Sequence, residues 1–367
     1  MNLQFFMPTR IIMGEDCIVK NADVFKKMGK KALIVTGSRS AKVNGSLEDI
    51  LKALDHNGQS SVIFDKVMSN PSIDCVYEGA AFAKGEEADF IIAIGGGSPM
   101  DAAKAIALLS CQEVPREKLF SGEYEPKVLP MAFVPTTAGT GSEVTQYSIL
   151  TNDEAKTKTT LTAPFLFPAV SFLDSRYMES LSKTTTVNTA VDAFSHSVEG
   201  FLSNRASSIS DVLALESIGI IAKQFEKLKN FALSGEDRSD LLYASTLGGM
   251  VIAHTGTTAV HSMGYSLTYF KDIDHGRANG LLIVEFLKLV EKTKPERIKI
   301  MLDKMGLVDL DALKGILDEL LGEKEKITKE EIERYAAIAI TAKNITNCIV
   351  TPKQEDLINI YETVFLS

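Results

Sequence analysis

The first half of the chain alternates short apolar runs with stretches in which apolar residues recur at helical spacing. Short uninterrupted apolar runs that end in turn residues are typical of strands buried on both faces. Such runs predict strands at Lys31–Gly37, Ser61–Asp65, Ala88–Ile94, Val128–Val134 and Ala169–Leu173. Helical spacing between them predicts helices that include Leu47–Leu54 and Ile73–Ala83. Strands that alternate with helices indicate βαβ units and a largely parallel sheet.

The second half has a different pattern, because strand-like runs stop after about Tyr177. Glycine and proline separate one helical stretch from the next. Helices are predicted at Val187–Leu202, Asp211–Leu228, Asp240–Ile252, Leu281–Val290, Leu310–Leu321, Glu330–Ala342 and Glu355–Phe365. We therefore expect an α/β domain over residues 1–178 and an all-α domain over residues 179–367.

Composition narrows the class of protein. Hydrophobic residues make up 45% of the chain, which excludes a disordered chain. The net charge is −9, which argues against a basic surface for nucleic acid. The four cysteines, Cys17, Cys75, Cys111 and Cys348, form no close pair, which argues against a zinc knuckle or a redox CxxC motif. With neither a signal peptide nor a membrane-spanning run in the pattern, we expect a cytoplasmic protein.

A glycine-rich loop follows the third predicted strand. Its sequence is Gly95-Gly96-Gly97-Ser98-Pro99-Met100-Asp101, and a helical stretch comes directly after it. A strand, a glycine turn and a helix N-terminus together make a binding site for a pyrophosphate. Ser98 is predicted to cap the helix, with Pro99 at its first position and Asp101 completing the capping box. The alternative is a tight turn with a well-capped helix and no ligand.

A second loop, at Pro135–Thr145, is rich in threonine and glycine. Placed at the carboxyl end of a strand, it could surround a polar ligand with hydroxyl and amide donors. A surface turn explains the same composition equally well.

Metal-binding residue types occur in the helical half. Asp192 and His196 lie four positions apart, so both point from one helix face. His261 and His275 follow on predicted helices, and an aspartate with three histidines is a suitable ligand set for Fe(II) or Zn(II). His254 is a rival to these ligands, since it precedes His261 by seven residues. Isolated buried histidines with structural hydrogen bonds are the alternative.

Taken together and in this order, these segments resemble the iron-containing (group III) alcohol dehydrogenases. The resemblance runs from Phe6-Met-Pro-Thr-Arg10 to Ile358-Asn-Ile-Tyr361 and is strongest to the 1,3-propanediol, butanol and lactaldehyde dehydrogenase branch. It implies a dehydroquinate synthase-like architecture: a dinucleotide-binding α/β domain, a helical metal-binding domain and a catalytic cleft between them. It also implies a homodimer, formed through strands at residues 3–13.

The resemblance assigns roles to individual residues. The metal ligands, catalytic through the ion, are Asp192, His196, His261 and His275, with iron favoured and zinc an alternative. The cofactor residues that it implies are Gly95, Gly96, Gly97, Ser98, Asp101, Thr136, Thr137, Thr140, Thr145 and Lys158. Tyr147, Ile252 and Tyr265 are implied to shape the substrate pocket.

Two positions depart from the family pattern. Relatives that prefer NAD often carry an acidic residue where the first strand ends, and this chain has Gly37-Ser38-Arg39-Ser40, followed by Lys42. A glycine, hydroxyls and cations suit a 2′-phosphate, which predicts NADP as the preferred cofactor and NAD as the second choice. In addition, Tyr265 stands where many relatives have a histidine that is often assigned to proton transfer.

The expected activity is hydride transfer between a short-chain alcohol or diol and nicotinamide, with no macromolecular substrate. Glycerol dehydrogenases and dehydroquinate synthases share the fold, so a polyol oxidoreductase is the nearest alternative. A nucleotide- and metal-binding protein without turnover is the alternative from another class.

Overall fold

The computed structural model describes residues 3–366, which form two compact units. The sheet unit comprises Met7–Thr137 and Gly141–Leu181. Within the described residues, the helical unit comprises residues 3–6, Ala138–Thr140 and residues 182–366. The short segment 138–140 therefore belongs to the helical unit although both of its neighbours in sequence belong to the sheet unit.

The sheet unit is built around parallel strands. Its strands are β1 (Arg10–Met13), β2 (Lys31–Thr36), β3 (Ser60–Phe64), β4 (Phe90–Gly95), β5 (Met131–Pro135), β6 (Tyr147–Asn152), β7 (Thr157–Thr162) and β8 (Val170–Leu173). Six of them form one sheet in the order β1-β8-β5-β4-β2-β3, and every neighbouring pair is parallel. The predicted α/β class with a mostly parallel sheet is confirmed.

Both faces of this sheet are covered, which explains why its strands read as continuous apolar runs. Successive residues of a strand point to opposite faces. In β4, Ile91 packs into one buried cluster and Ile92 into another, and Leu33 and Ile34 of β2 divide in the same way. All residues of β4, and those of β2 after Lys31, are therefore buried on one side or the other.

Helices of the sheet unit connect its parallel strands. They are α1 (Cys17–Lys20), α2 (Ser40–Val43), α3 (Ser46–His56), α4 (Ile73–Gly85) and α5 (Gly97–Cys111). Strands β6 and β7 form a separate antiparallel hairpin. The apolar pattern did not predict this hairpin, because threonine and lysine occupy most positions of β7.

The helical unit contains the remaining helices. They are α6 (Lys183–Phe201), α7 (Ser208–Asn230), α8 (Gly235–Thr255), α9 (Ala259–Lys271), α10 (His275–Glu291), α11 (Pro295–Met305), α12 (Leu310–Leu321), α13 (Lys329–Ala339) and α14 (Gln354–Phe365). Helices α6, α7 and α8 pack on one another, and α10 packs on α6 and α9. The predicted helical second half is confirmed. In the part of the chain that the structure describes, no helix has the length and apolar character needed to span a membrane.

Candidate metal centre and cofactor loops

Helix α6 carries the first two predicted metal ligands. It begins after Ser182, whose hydroxyl accepts a hydrogen bond from the backbone N–H of Thr185 at 3.1 Å. Asp192 and His196 lie in the buried middle of this helix, only 3% and 5% exposed. Their spacing puts both on one face, with His196 Nδ1 4.0 Å from Asp192 Oδ2. The helix therefore presents a carboxylate and an imidazole away from solvent.

The other two predicted ligands come from helices α9 and α10. His261 lies in the first turn of α9, and His275 is the first residue of α10. Glycine at position 276 allows α10 to begin directly against α6, because a Cβ there would be 1.9 Å from the carbonyl oxygen of Asn188. The close approach places His275 beside Asp192.

Three of the four predicted ligands present their donor atoms to one point. Asp192 Oδ1 lies 3.8 Å from His261 Nε2 and 3.9 Å from His275 Nε2. These three atoms all lie within 4.8 Å of one another. The His196 ring stacks on His261 at a centroid distance of 4.6 Å, while its Nδ1 lies 3.3 Å from the carbonyl oxygen of Gly139. His196 thus adjoins the group of three without belonging to it in this arrangement.

The chemistry of this cluster fits a divalent cation. Nδ2 of Asn279 lies 3.1 Å from Asp192 Oδ1, 3.2 Å from His261 Nε2 and 3.4 Å from His275 Nε2. The amide donor of Asn279 thus faces the same three atoms, and the carboxylate oxygen and ring nitrogens that converge there make a point attractive to positive charge. Burial lowers the pKa of His196, which favours the neutral imidazole that has a lone pair for a metal. Carboxylate and imidazole are donors that both Fe(II) and Zn(II) accept.

His254, the rival ligand, lies apart from this cluster, so that alternative is wrong. It is in α8, and the chain turns at Gly256 before α9 begins, so the helical spacing to His261 does not apply. Its Nδ1–H donates to the Met250 carbonyl at 2.7 Å, and its Nε2 accepts from the backbone N–H of Phe6 at 3.0 Å. The Phe5 ring stacks on it at 4.1 Å. Both ring nitrogens are used for structure.

The glycine loop lies at the carboxyl end of β4, as predicted, and leads directly into α5. Gly95 has φ +151°, a conformation that favours glycine. A Cβ on Gly96 would lie 3.0 Å from the Thr137 hydroxyl, so the glycine and threonine loops lie side by side. Thr136 joins them, since its N–H donates to the Gly95 carbonyl at 2.9 Å.

The predicted cap of α5 is wrong. The helix already begins at Gly97, with Gly96 at the cap position and no side-chain cap. Ser98 instead accepts a hydrogen bond from the N–H of Asn70 at 3.2 Å. Asp101 accepts from the Ser142 hydroxyl at 2.6 Å and from the Ile149 N–H at 3.2 Å, so it holds the following segment rather than the helix end. The amide groups of the first turn of α5 are left without a side-chain cap.

Comparison with known proteins decides the family. Residues 8–175 match the family model of iron-containing alcohol dehydrogenase, and residues 186–365 match that of the Fe-containing alcohol dehydrogenase family, C-terminal. The chain belongs to the iron-containing alcohol dehydrogenase family. It is therefore an oxidoreductase of the alcohol dehydrogenase type, as its sequence predicts.

Individual members of the family are similar over most of their length. The 1,3-propanediol dehydrogenase of Klebsiella pneumoniae is 33% identical over 83% of this chain and 78% of its own. The NADPH-dependent butanol dehydrogenase of Clostridium saccharobutylicum is 29% identical over 89% of this chain and 84% of its own. The crystal structure of an iron-containing alcohol dehydrogenase from Thermotoga maritima is 40% identical, covers 100% of both chains and has a TM-score of 0.93.

Glu199 is a functional candidate in this alcohol dehydrogenase that the sequence analysis missed. It is fully buried, and it accepts hydrogen bonds from the N–H and hydroxyl of Thr258 at 2.8 and 2.6 Å and from Nδ1–H of His261. Burial opposes its ionisation, but His261 and Thr258 hold its pKa below the usual value. A carboxylate can only accept, so His261 must carry its proton on Nδ1 and direct the Nε2 lone pair toward Asp192. The sequence spacing could have identified Glu199, since Asp192, His196 and Glu199 share one helix face.

Lys104 is a second residue that the sequence did not single out. It is fully buried in α5, and its ammonium donates to Ser142 Oγ at 2.7 Å, the Tyr147 carbonyl at 2.7 Å and the Thr145 hydroxyl at 3.2 Å. Burial lowers its pKa to about 8, against the opposing effect of Asp101. Burial likewise raises the pKa of Asp101, against the opposing effect of Lys104. This network fixes the segment that contains Thr145, one of the predicted cofactor residues.

The remaining predicted residues are distributed as follows. Gly37, Ser38, Arg39 and Ser40 follow β2, at the same sheet edge as the glycine loop, because β2 and β4 are parallel neighbours. Lys42 forms an ion pair with Asp65 at 2.7 Å. Lys158 lies in β7, and its charge is among the weaker effects that oppose the burial which raises the pKa of Asp101. Thr140 belongs to the helical unit.

Tyr265 packs against the metal cluster from within the helical unit. Its ring stacks on His275 at a centroid distance of 5.4 Å with an interplanar angle of 12°. It also meets the His261 ring edge-on at 6.3 Å. The tyrosine that departs from the family pattern is therefore in contact with two predicted metal ligands.

Proposed function

We propose that this chain interconverts short-chain alcohols or diols and their aldehydes by hydride transfer to or from C4 of a nicotinamide, with NADP preferred. The observation that carries the proposal is the convergence of the buried Asp192 and His261 with the half-buried His275 in a chain of the iron-containing alcohol dehydrogenase family. Its 1,3-propanediol and butanol dehydrogenase relatives support a small alcohol as substrate.

The proposed metal ligands are Asp192, His196, His261 and His275, for Fe(II) or alternatively Zn(II). A divalent ion held there would supply the positive charge that stabilises an alkoxide or polarises an aldehyde carbonyl. Glu199 holds His261 in the tautomer that binds a metal. The His196 ring would turn from the Gly139 carbonyl to join the set. Tyr265, stacked on His275, limits the space beside the ligands and has a hydroxyl that can donate to a substrate oxygen.

The cofactor pyrophosphate is proposed to bind at the start of α5. Its first-turn amides have no side-chain cap, and Gly95, Gly96 and Gly97 let the backbone approach a ligand closely. Ser98 and Thr137 add hydroxyl donors at the same edge of the sheet. Lys104 and Asp101 fix the segment of Thr145 from behind.

The preference for NADP rests on the end of β2. Gly37 and Ser38 place no carboxylate there, and the exposed Arg39 has no ion-pair partner among residues 3–366. Lys42 contributes less than its charge suggests, because Asp65 already neutralises it. A free guanidinium beside a glycine suits a 2′-phosphate. The NADPH-dependent butanol dehydrogenase relative is consistent with this choice.

A homodimer is proposed as the active assembly. Leu3, Phe5 and Phe6 are 42%, 37% and 52% exposed, an apolar N-terminal segment that a second copy could cover. Light scattering after size exclusion tests the state directly, and a monomer at micromolar concentration would contradict this part of the proposal.

The decisive experiment is a reduction assay with butanal and NADPH. The protein is stripped with a chelator and reloaded anaerobically with Fe(II), with Zn(II) and NADH in parallel. We expect metal-dependent turnover that is faster with NADPH. Turnover that prefers NADH would overturn the cofactor preference and keep the metal site. Metal-dependent turnover only with glycerol or larger polyols would favour the polyol oxidoreductase.

A further inference from the structure

Asn279 lies at the centre of the three converging ligand atoms although no metal role has been assigned to it. It is fully buried on α10, one turn after His275. Its Nδ2 is within hydrogen-bonding distance of Asp192 Oδ1, His261 Nε2 and His275 Nε2 at 3.1, 3.2 and 3.4 Å. An amide nitrogen has two hydrogens to donate, so three acceptors share them.

The groups around Asn279 determine which of its two amide atoms, Nδ2 or Oδ1, faces the ligand cluster. With Nδ2 toward the cluster, its hydrogens face the Asp192 carboxylate oxygen and the His261 Nε2 lone pair, and they face a lone pair of His275 as well when that ring carries its proton on Nδ1. The reverse orientation would place Oδ1 against the same acceptors, which repel it. Oδ1 itself has no hydrogen-bond partner among residues 3–366. The amide therefore keeps its donor on the cluster even though its acceptor is buried unpaired.

Gly264 provides the space on the other side. A Cβ on Gly264 would lie 2.2 Å from Oδ1 of Asn279, far inside contact distance. Any larger residue on this face of α9 would push the amide toward the ligands or out of its place. Gly264 and Asn279 thus form a matched pair across α9 and α10.

We propose that Asn279 is a positioning residue for the metal centre, and that Gly264 makes its position possible. Before a metal binds, the N–H groups of Asn279 hold the three ligand atoms close together, as a cation would. Once a cation occupies the imidazole lone pairs, the amide still donates to Asp192 and keeps that carboxylate oriented. The inference rests on the proposed function, because it assumes that these three residues bind metal.

The test measures metal binding by the full-length protein. Zn(II) affinity is determined by competition with a chromophoric chelator, and Fe(II) affinity anaerobically in parallel. Asn279→Leu keeps the branched heavy-atom shape of the side chain and removes the donor, and we expect metal to bind about 10–100-fold more weakly, the effect typical of losing a group that orients metal ligands. Gln224→Leu is the matched control, since Gln224 is a buried amide of α7 whose Oε1 is also unpaired among the described residues.

Gly264→Ala provides a second, independent variant. We expect it to weaken metal binding in the parent but to add little in the Asn279→Ala background, because the clash with Oδ1 is then gone. Absorption bands of Co(II) bound in place of the native metal should change in Asn279→Leu and stay unchanged in Gln224→Leu. Thermal unfolding without metal verifies that each variant is folded.

The outcomes separate the two proposals. If the parent binds no Zn(II) or Fe(II) at one ion per chain, the proposed function itself fails. If the parent binds metal and Asn279→Leu binds it as tightly, with unchanged Co(II) bands, only the role of Asn279 is overturned. If Gln224→Leu loses affinity to the same extent, the effect is one of general packing and the inference is wrong.

Discussion

The two candidate sites of this chain are built in opposite ways. The glycine loop of the sheet unit is a contiguous run at the end of one strand, and its proposed binding groups are backbone amides. The metal cluster of the helical unit consists of side chains from α6, α9 and α10, which are distant in sequence. A backbone site depends on local conformation, whereas a side-chain site depends on packing between helices. The two should therefore fail under different substitutions.

The largest effect is expected for His261→Ala. Loss of this imidazole removes one of the three converging donors and the partner of Glu199. A metal stabilises substrate charge by several kcal/mol, so kcat/KM should fall about 1,000-fold or more, together with metal content. Metal analysis and steady-state kinetics on the same preparation test this. A variant that keeps both its metal and full turnover would remove His261 from the ligand set.

A smaller effect at the same site is expected for Glu199→Ala. The buried His261 Nδ1–H would lose its acceptor, and the imidazole could adopt the other tautomer. Metal should bind about 10–100-fold more weakly, with cofactor affinity unchanged. Glu199→Gln retains an acceptor oxygen and should recover part of the loss. Equal metal affinity in all three proteins would show that Glu199 only supports the fold.

The backbone site should respond instead to Gly95→Ala. Gly95 has φ +151°, and a Cβ there would lie 2.6 Å from Cγ of Pro99. Strain of about 1–3 kcal/mol in the loop corresponds to roughly 5–160-fold weaker cofactor binding, while metal affinity stays the same. Fluorescence titration with NADPH measures the effect. Ser98→Ala, which removes one hydroxyl from the same loop without adding a Cβ at a glycine, is the matched control and should have a smaller effect.

A change of specificity is expected for Gly37→Asp. The nearest atom to a Cβ at this position is the Val67 carbonyl oxygen, at 3.4 Å, so a side chain fits with little movement. A carboxylate would accept from a ribose 2′-hydroxyl and repel a 2′-phosphate. The ratio of kcat/KM for NADPH and NADH should shift toward NADH by about tenfold, equivalent to about 1.4 kcal/mol. An unchanged ratio would mean that this strand end does not contact the ribose.

A separate effect, on stability rather than on binding or turnover, is expected from Lys104. Its pKa is about 8 in the folded protein, below the ordinary value of 10.5, so the unfolded chain binds more protons between these pH values. Stability should therefore rise with pH across this window, and Lys104→Met should lack that rise. Denaturant unfolding of both proteins from pH 7 to 10.5 gives the difference. Parallel curves would contradict the assigned pKa.

The sequence predicted the strands whose residues are mainly apolar, because nearly every position along them is buried. Continuous apolar runs identified β2, β4 and β5, since both sheet faces are buried. The β6–β7 hairpin was missed, because its Thr-rich strands have no such run.

The site shows the same limit at the level of single residues. Asp192, His261 and His275 were predicted and lie together, although their role as ligands stays a prediction. Asn279 was missed, because an Asn within a helix is ordinarily exposed and only the packing of α6, α9 and α10 shows that this one is buried. Glu199 was missed although it shares a helix face with Asp192 and His196, because a Glu within a helix is likewise ordinarily exposed. His254 was wrongly considered, since helical spacing means nothing across the turn at Gly256.

The three-residue segment Ala138–Thr140 governs how chimaeras of this enzyme with its relatives should be made. A single crossover after residue 178 would combine a foreign helical half with a threonine loop from this chain. Gly139 would then come from one parent and His196, whose Nδ1 lies 3.3 Å from its carbonyl, from the other. Position 139 also requires glycine, because a Cβ there would lie only 2.8 Å from Cβ of Thr189. Recombination that transfers Ala138–Thr140 with the helical half keeps these residues from the same parent.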